Sequence, residues 1–258
     1  MRVAVLCDIH GNLPALDAVL DEIDQIQVDR IVVGGDVFPG PMPCETLDRL
    51  LALDVPTDFL YGNGELGMLA QLRASDPSTV TYWGTASGVP LPDPLKEVVR
   101  WTARQLTDRR HLFEDWPKTV TLEIDELGSV LFCHATPRNE TEVFTRLTPE
   151  DRLLPIFDSL GVSVVVCGHT HMQFDRMVGR TRVVNAGSVG MPFGAPGADW
   201  LLLGPTVELR HTNYDLNAAA ETIRQTAYPQ AEEVARDYVL QPPSEQSMVE
   251  AFTKFQLT

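Results

Sequence analysis

Seven side chains that can donate through nitrogen or oxygen fall in short loops: Asp8, His10, Asp36, Asn63, His134, His169 and His171. These residue types are those of a divalent-metal site. Imidazole suits Zn, Fe, Mn or Ni, while carboxylate and amide oxygens suit harder divalent ions. Seven donors are too many for one transition-metal ion that keeps an open position, and they suit two. A shared carboxylate can bridge two ions ~3.5–4 Å apart, a geometry used in phosphoester cleavage. Only Thr170 separates His169 from His171. Burying two imidazoles so close is costly unless something binds them.

Each donor follows a segment that reads as a strand. "RVAVLCD" is a short continuous apolar run, as expected of a parallel strand buried on both faces. "LPALDAVLDEIDQI" has helical apolar spacing, with Pro14 in its first turn. "DRIVVGGD", "PCETLDRLLAL" and "PTDFLYGNG" continue the pattern as strand, helix and strand. The resulting βαβαβ unit predicts a parallel sheet with right-handed crossovers. "TVTLEIDELGSVLFCHATP" reads as a hairpin, and "VSVVVCGHTH" as another buried strand. Between them, "TPEDRLLPIFDSLG" reads as a helix capped by Thr148 with Pro149 at its first position. "MQFDRMVGRTRVVNAGSVG" and "DWLLLGPTVELRHTNYD" read as antiparallel strands with glycine turns. In open α/β sheets the ligand crevice lies beyond the carboxyl ends of the parallel strands, which would bring all seven donors together.

The ordered segments "DIHGN", "GGD", "GNGE", "CHATP" and "GHTH" resemble the calcineurin-like metallophosphoesterase superfamily, and "VVNAGSVGMP" adds to the likeness. The resemblance implies an α/β fold: an αββα sandwich with two metal ions at one edge. It assigns Asp8, His10 and His171 to the first ion and Asn63, His134 and His169 to the second, with Asp36 bridging. Asp36, Asn63 and His134 would also carry catalytic roles. The cofactors would be two divalent metal ions, manganese foremost, with Fe, Ni, Co or Zn as alternatives. The expected reaction is hydrolysis of a small organic phosphodiester by a metal-activated hydroxide. One departure concerns the proton donor: many members have histidine where this chain has Gly64. Smaller phosphodiesterase-type members also lack that histidine, and losing the acid matters least when the leaving group is already good. The other readings are a phosphomonoesterase, a nucleotide pyrophosphate hydrolase, or a metal-holding scaffold with little turnover.

The chain is expected to form one domain over 1–258, with a helical insert over about 65–116 and a helical tail over about 216–258. The insert would shape substrate access, with Tyr82, Trp83 and Trp101 as candidate stacking residues and core packing as their commoner use. Asn12 and Arg138 flank metal motifs and are candidate phosphate contacts; a turn-stabilising role and a surface ion pair are the plainer readings. His111 and His211 read as structural or solvated. A formal net charge of −16 argues against a nucleic-acid partner, which needs Lys and Arg to replace phosphate counterions. The opening apolar run is too short for a signal peptide or a membrane span. With Cys7, Cys44, Cys133 and Cys167 read as unpaired thiols, a cytoplasmic setting is expected.

Overall fold

Alternation along the strands decides the layering. In β1 (Val3–Leu6), Val3 and Val5 point to one face and Ala4 and Leu6 to the other. All four are buried, so both faces of the strand must be covered. The computed structural model describes residues 1–74, 93–254 and 257 and shows what covers them.

β1, β2 (Arg30–Val33) and β3 (Thr57–Phe59) pair in parallel, with Leu6 opposite Val33 and Val33 opposite Phe59. A second sheet contains β4 (Thr119–Ile124), β5 (Gly128–Cys133), β6 (Val164–Cys167), β7 (Phe174–Val178) and β8 (Thr181–Asn185). β9 (Ala198–Leu203) and β10 (Val207–Thr212) return to the first sheet, where β9 lies antiparallel to β1. The sheet orders are β10-β9-β1-β2-β3 and β4-β5-β6-β8-β7. In the second sheet β5, β6 and β8 are parallel, so both sheets send parallel strand ends toward loops that carry the donors.

Three apolar clusters define the layers. Val3, Val5 and Val32 of the first sheet meet Val130, Phe132 and Val166 of the second, forming the interior of the sandwich. On the outer face of the first sheet, Ala4, Leu6 and Ile31 pack on α1 (Leu13–Ile26), α2 (Pro43–Leu51), α3 (Asn63–Arg73) and α4 (Asp93–Gln105). On the outer face of the second, Val165 and Val183 pack on Leu153, Ile156 and Phe157 of α5 (Glu150–Phe157). The αββα arrangement expected from sequence is therefore the one observed.

Local chemistry explains the element ends. Asn12 caps α1 by accepting from the Ala15 amide, with Pro14 in the first turn. α5 begins one residue later than the sequence suggests. Pro149 keeps an extended ψ of 140°, and the Thr148 hydroxyl accepts from the Thr145 amide instead of capping the helix. The tail forms α6 (Leu216–Arg224), α7 (Ala231–Val234), a π-helical turn (Ala235–Leu240) and α8 (Glu245–Phe252). It packs against α4 and Met42 through Val98, Ile223, Tyr228, Val234 and Val239. No helix among the described residues is long and apolar enough to cross a membrane.

Leu16 is fully buried between α1 and the first sheet, whereas Leu147 is 63% exposed. Leu16→Ala is expected to cost ~2–5 kcal/mol through lost transfer energy and a residual cavity. Leu147→Ala should stay within about 0.5 kcal/mol of the parent. Urea unfolding of the two variants checks the contrast.

Candidate metal centre

All seven sequence-predicted donors meet at the strand ends, in two groups. In one, His10 Nε2 lies 3.3 Å from His171 Nε2, and Asp8 Oδ1 lies 3.3 Å from His171 Nε2 and 4.0 Å from His10 Nε2. In the other, His134 Nε2 lies 3.0 Å from Asn63 Oδ1 and 3.2 Å from His169 Nδ1. Asp36 stands between the groups: Oδ2 is 3.8 Å from His10 Nε2, and Oδ1 is 3.5 Å from His134 Nε2. Asp8 Oδ1 is also 4.0 Å from His134 Nε2, so Asp8 reaches toward both groups.

The backbone aims these side chains. The Nδ1 atoms of His10, His134 and His171 face the carbonyls of Pro39, Gly34 and Met191 at 3.2, 3.0 and 2.8 Å. A carbonyl only accepts, so each Nδ1 carries a proton and each Nε2 points inward, where it offers a lone pair once the ring is neutral. Asp8, His10, Asp36, His169 and His171 all have positive φ, between 48° and 67°. Side chains rarely adopt this left-handed region, and its cost concentrates at functional sites. Loop-to-loop hydrogen bonds hold the strained residues in place: Asp8 N donates to Gly35 O, His10 N to Asp36 O and Gly168 N to His134 O. His169 N donates to Asp8 Oδ2 at 2.8 Å.

The donor set has no permanent positive charge; protons on its imidazoles or a bound cation must supply it. Two inward lone pairs 3.3 Å apart, on His10 and His171, repel unless a proton or a metal cation lies between them. Asp8 Oδ1 is buried without a hydrogen bond, a costly state for a carboxylate oxygen. An orphaned oxygen among three imidazole nitrogens fits a divalent cation, and Asp8, His10, His171 and Asp8, Asp36, His134 each place their ligand atoms within 4.8 Å of one another. Burial alone would push Asp8 up, yet the charges on His171, His134 and His10 hold its carboxyl well below the usual range. Burial opposes protonation of His171, but the Asp8 carboxylate raises it; burial likewise opposes His134, which Asp36 and Asp8 raise. Burial lowers His10, with His171 adding to the effect. Burial, reinforced by His134, lowers His169 to about 3.

Glu65 is the residue whose role the sequence did not disclose. Its buried carboxylate accepts from the amides of Asp36, Val37, Phe38 and Gly62 at 2.7–3.3 Å. It thereby ties the loop after β2, which carries Asp36, to the start of α3, which carries Asn63. Burial and the nearby Asp36 charge push it up to about 7. The available signal was its place three residues after Gly62, the N3 position of a capping box. Gly64 also has a structural reason. A Cβ there would stand 1.9 Å from Phe38 O, and its amide donates to Asp36 Oδ1 at 2.6 Å.

The two candidate substrate contacts have protein partners in this structure, as the plainer readings expect. Asn12 accepts from Ala15 N and donates to Gly190 O and to the Tyr214 hydroxyl, so its whole amide is used in holding loops. Arg138 forms a two-pronged pair with Glu142. Neither lines the cavity beside the cluster, which has a volume of about 310 Å³ and includes His10, Asp36, Asn63, His169 and His171 in its wall. A larger hollow of about 480 Å³ beside α1 and α2 contains none of the seven donors. His211 pairs with Asp199 at 2.7 Å, and His111 is exposed in a 3-10 turn (Thr107–Leu112). Tyr82 and Trp83 lie outside the described residues, while Trp101 packs edge-on against Tyr228.

A sandwich of two mixed sheets with a buried Asp/His cluster at the strand ends defines a metal-binding α/β fold. The chain belongs to the calcineurin-like phosphoesterase superfamily, whose domain pattern matches residues 1–204. It is 24% identical over 248 residues to an uncharacterised protein of Methanocaldococcus jannaschii, covering 88% of this chain and 94% of that one. Its fold is similar to that of a hypothetical protein from Pyrococcus horikoshii OT3, with a TM-score of 0.75, 21% identity and coverage of 94% of this chain and 99% of the other. It is also similar to a metallophosphoesterase from Sphaerobacter thermophilus, with a TM-score of 0.68, 22% identity and coverage of 91% and 96%.

Two outcomes follow from this geometry. Glu65→Ala should leave the amides of Asp36, Val37, Phe38 and Gly62 without their acceptor, costing at least ~3 kcal/mol in urea unfolding. Separately, His134 and His171 hold protons more tightly than ordinary imidazoles, and a divalent ion must expel those protons to bind. Affinity therefore falls as pH falls. Calorimetric titration with Mn²⁺ should show at least ~10-fold weaker binding at pH 6 than at pH 8, with proton release on uptake.

Proposed function

We propose that the protein is a binuclear metal-dependent phosphodiesterase acting on a small organic phosphodiester. The observation that carries this reading is the position of Asp36, whose two oxygens face imidazoles of opposite groups. In this reading Asp8, His10 and His171 hold one divalent ion, Asn63, His134 and His169 hold the other, and Asp36 is shared. When bound, such ions supply Lewis acidity that makes water nucleophilic and neutralises charge on the phosphoryl oxygens.

The chain's own residues do the positioning. Carbonyl partners on Nδ1 fix the His10, His134 and His171 rings before any ligand arrives, which reduces reorganisation during reaction. Glu65 and the Gly64 amide fix Asp36 from two sides. Gly64 bears on the leaving group. No proton can come from glycine, and Phe38 O occupies the space a side chain would need. A leaving group that departs without protonation fits such a site. The same feature supports a second reading, a metal-holding scaffold with weak turnover.

Asp36→Asn keeps the shape of the shared residue and removes its charge. Hydrolysis of bis-p-nitrophenyl phosphate in added manganese should fall at least ~1000-fold, a loss of the size seen when a key electrostatic group is removed. Manganese affinity should weaken in both sites. Full activity in this variant would contradict the shared role of Asp36. Bound metal in the parent protein without cleavage of any phosphoester would favour the scaffold.

A further inference from the structure

The cavity has a second wall that phosphate chemistry alone does not require. Besides the donors, its lining includes Leu95 and Val98 of α4, Phe193 of the loop after β8, and Tyr228, Val234 and Tyr238 of the tail, with Gln230 the one amide side chain among the tail residues. The insert and the tail, far apart in sequence, close one apolar cup over the cluster. Its aromatic surfaces are held in place. Phe193 lies nearly parallel to the His171 ring, 5.1 Å away at 18°, so the cup is continuous with the metal edge. Trp101 packs edge-on behind Tyr228 at 5.4 Å. Tyr238 sits in the π-helical turn, a rare feature found often at functional sites.

Charge narrows the ligand further. No Lys or Arg is among the described residues lining the cavity. Additional phosphates or carboxylates would find no guanidinium or ammonium partner there. Size narrows it again. An apolar cavity of ~150 Å³ accepts a benzene ring, so about 310 Å³ takes a phosphoryl group and one ring.

We propose that this cup seats the leaving arm of the substrate, and that the arm is a single aromatic ring on a phosphodiester with no other anionic group. The inference rests on the phosphodiesterase reading and names its substrate class. It accounts for Gly64 as well: a phenolate, with a conjugate acid near pKa ~10, leaves without a proton donor more readily than an alkoxide. In the step, water oxygen bonds to phosphorus and releases a proton to solvent, and the P–O(aryl) bond breaks. The aryloxide leaves with the electron pair and takes a proton from solvent. The products are a phosphomonoester and a phenol.

Equilibrium binding of phosphonates, whose P–C bond replaces the P–O(aryl) bond and whose methoxide is a poor leaving group, to the manganese-loaded protein tests the cup apart from turnover. Methyl phenylphosphonate should bind at least ~10-fold tighter than methyl methylphosphonate, because burying an aromatic ring contributes more than burying a methyl. Tyr238→Ala and Leu95→Trp, which empty and fill the cup, should each bring the ratio close to one. Manganese affinity, measured in the same proteins, should match the parent and so report an intact centre. Equal affinity for the two phosphonates in the parent overturns the aromatic arm, as does tighter binding of a pyrophosphate diester. Hydrolysis of bis-p-nitrophenyl phosphate by the parent is scored separately. If that hydrolysis occurs while the phosphonates bind alike, the cup inference fails and the diesterase reading stands. If no phosphoester is cleaved, the diesterase reading fails, and the leaving-arm role with it.

Discussion

Lone pairs crowded into a buried space dominate this molecule. Asp8, His10, Asp36, Asn63, His134 and His171 are all buried, and none brings permanent positive charge. Such a cluster is unstable by itself, since desolvated acceptors repel and gain nothing from water. A cation is the natural counterpart, and the rest of the site is arranged so that the donors wait for one. Carbonyl partners keep three rings oriented, and the orphaned Asp8 oxygen marks the place where positive charge is missing.

Holding such donors together strains the backbone. Left-handed φ at Asp8, His10, Asp36, His169 and His171 costs of order 1–3 kcal/mol each. The strain persists because the sheets over-determine it. Each strained loop leaves a strand whose residues are buried on both faces, as in β1 and β6. Loops from different strands then bond to one another, as when Val189 N donates to Cys7 O and Gly190 N to Asp8 O. Close approach makes glycine necessary at the joints: a Cβ on Gly168 would meet Asp8 Oδ2 at 2.4 Å. Stability of the sandwich interior is thus spent on geometry at its edge.

Much of this arrangement can be read in the sequence, because it depends on short-range signals. Apolar runs in β1, β2 and β6, helical spacing in α1 and the Pro14 position give the parallel units, and donors directly after strands give the cluster. What stays hidden depends on distant partners. Nothing local shows that β9 crosses back to lie beside β1, because pairing as distant as Val3 with Leu203 leaves no periodic mark. Nor does the local sequence show that the Asn12 amide bridges Ala15, Gly190 and Tyr214, the last two 178 and 202 residues away. Glu65 sits inside a recognisable segment, yet three of its four amide partners lie 27–29 residues earlier. Tyr228 and Tyr238 join the site only because the tail packs on α4.

The two ends of the cavity solve different problems, and the surface charge separates them. A formal net charge of −16 repels anions at long range, and polyanions most of all. Bound divalent ions would reverse that sign only within the buried cluster, where screening by salt is weakest. A ligand must therefore reach the centre without electrostatic steering by the surface. A large anion pays repulsion along its whole length for one favourable contact. A compact, singly charged ester meets little repulsion on approach and finds apolar contacts in the cup once inside. The same acidic exterior that argues against nucleic acid thus suits a small, mostly apolar ester. On the proposed reading, recognition would rest on short-range burial at one end of the cavity and on short-range charge at the other.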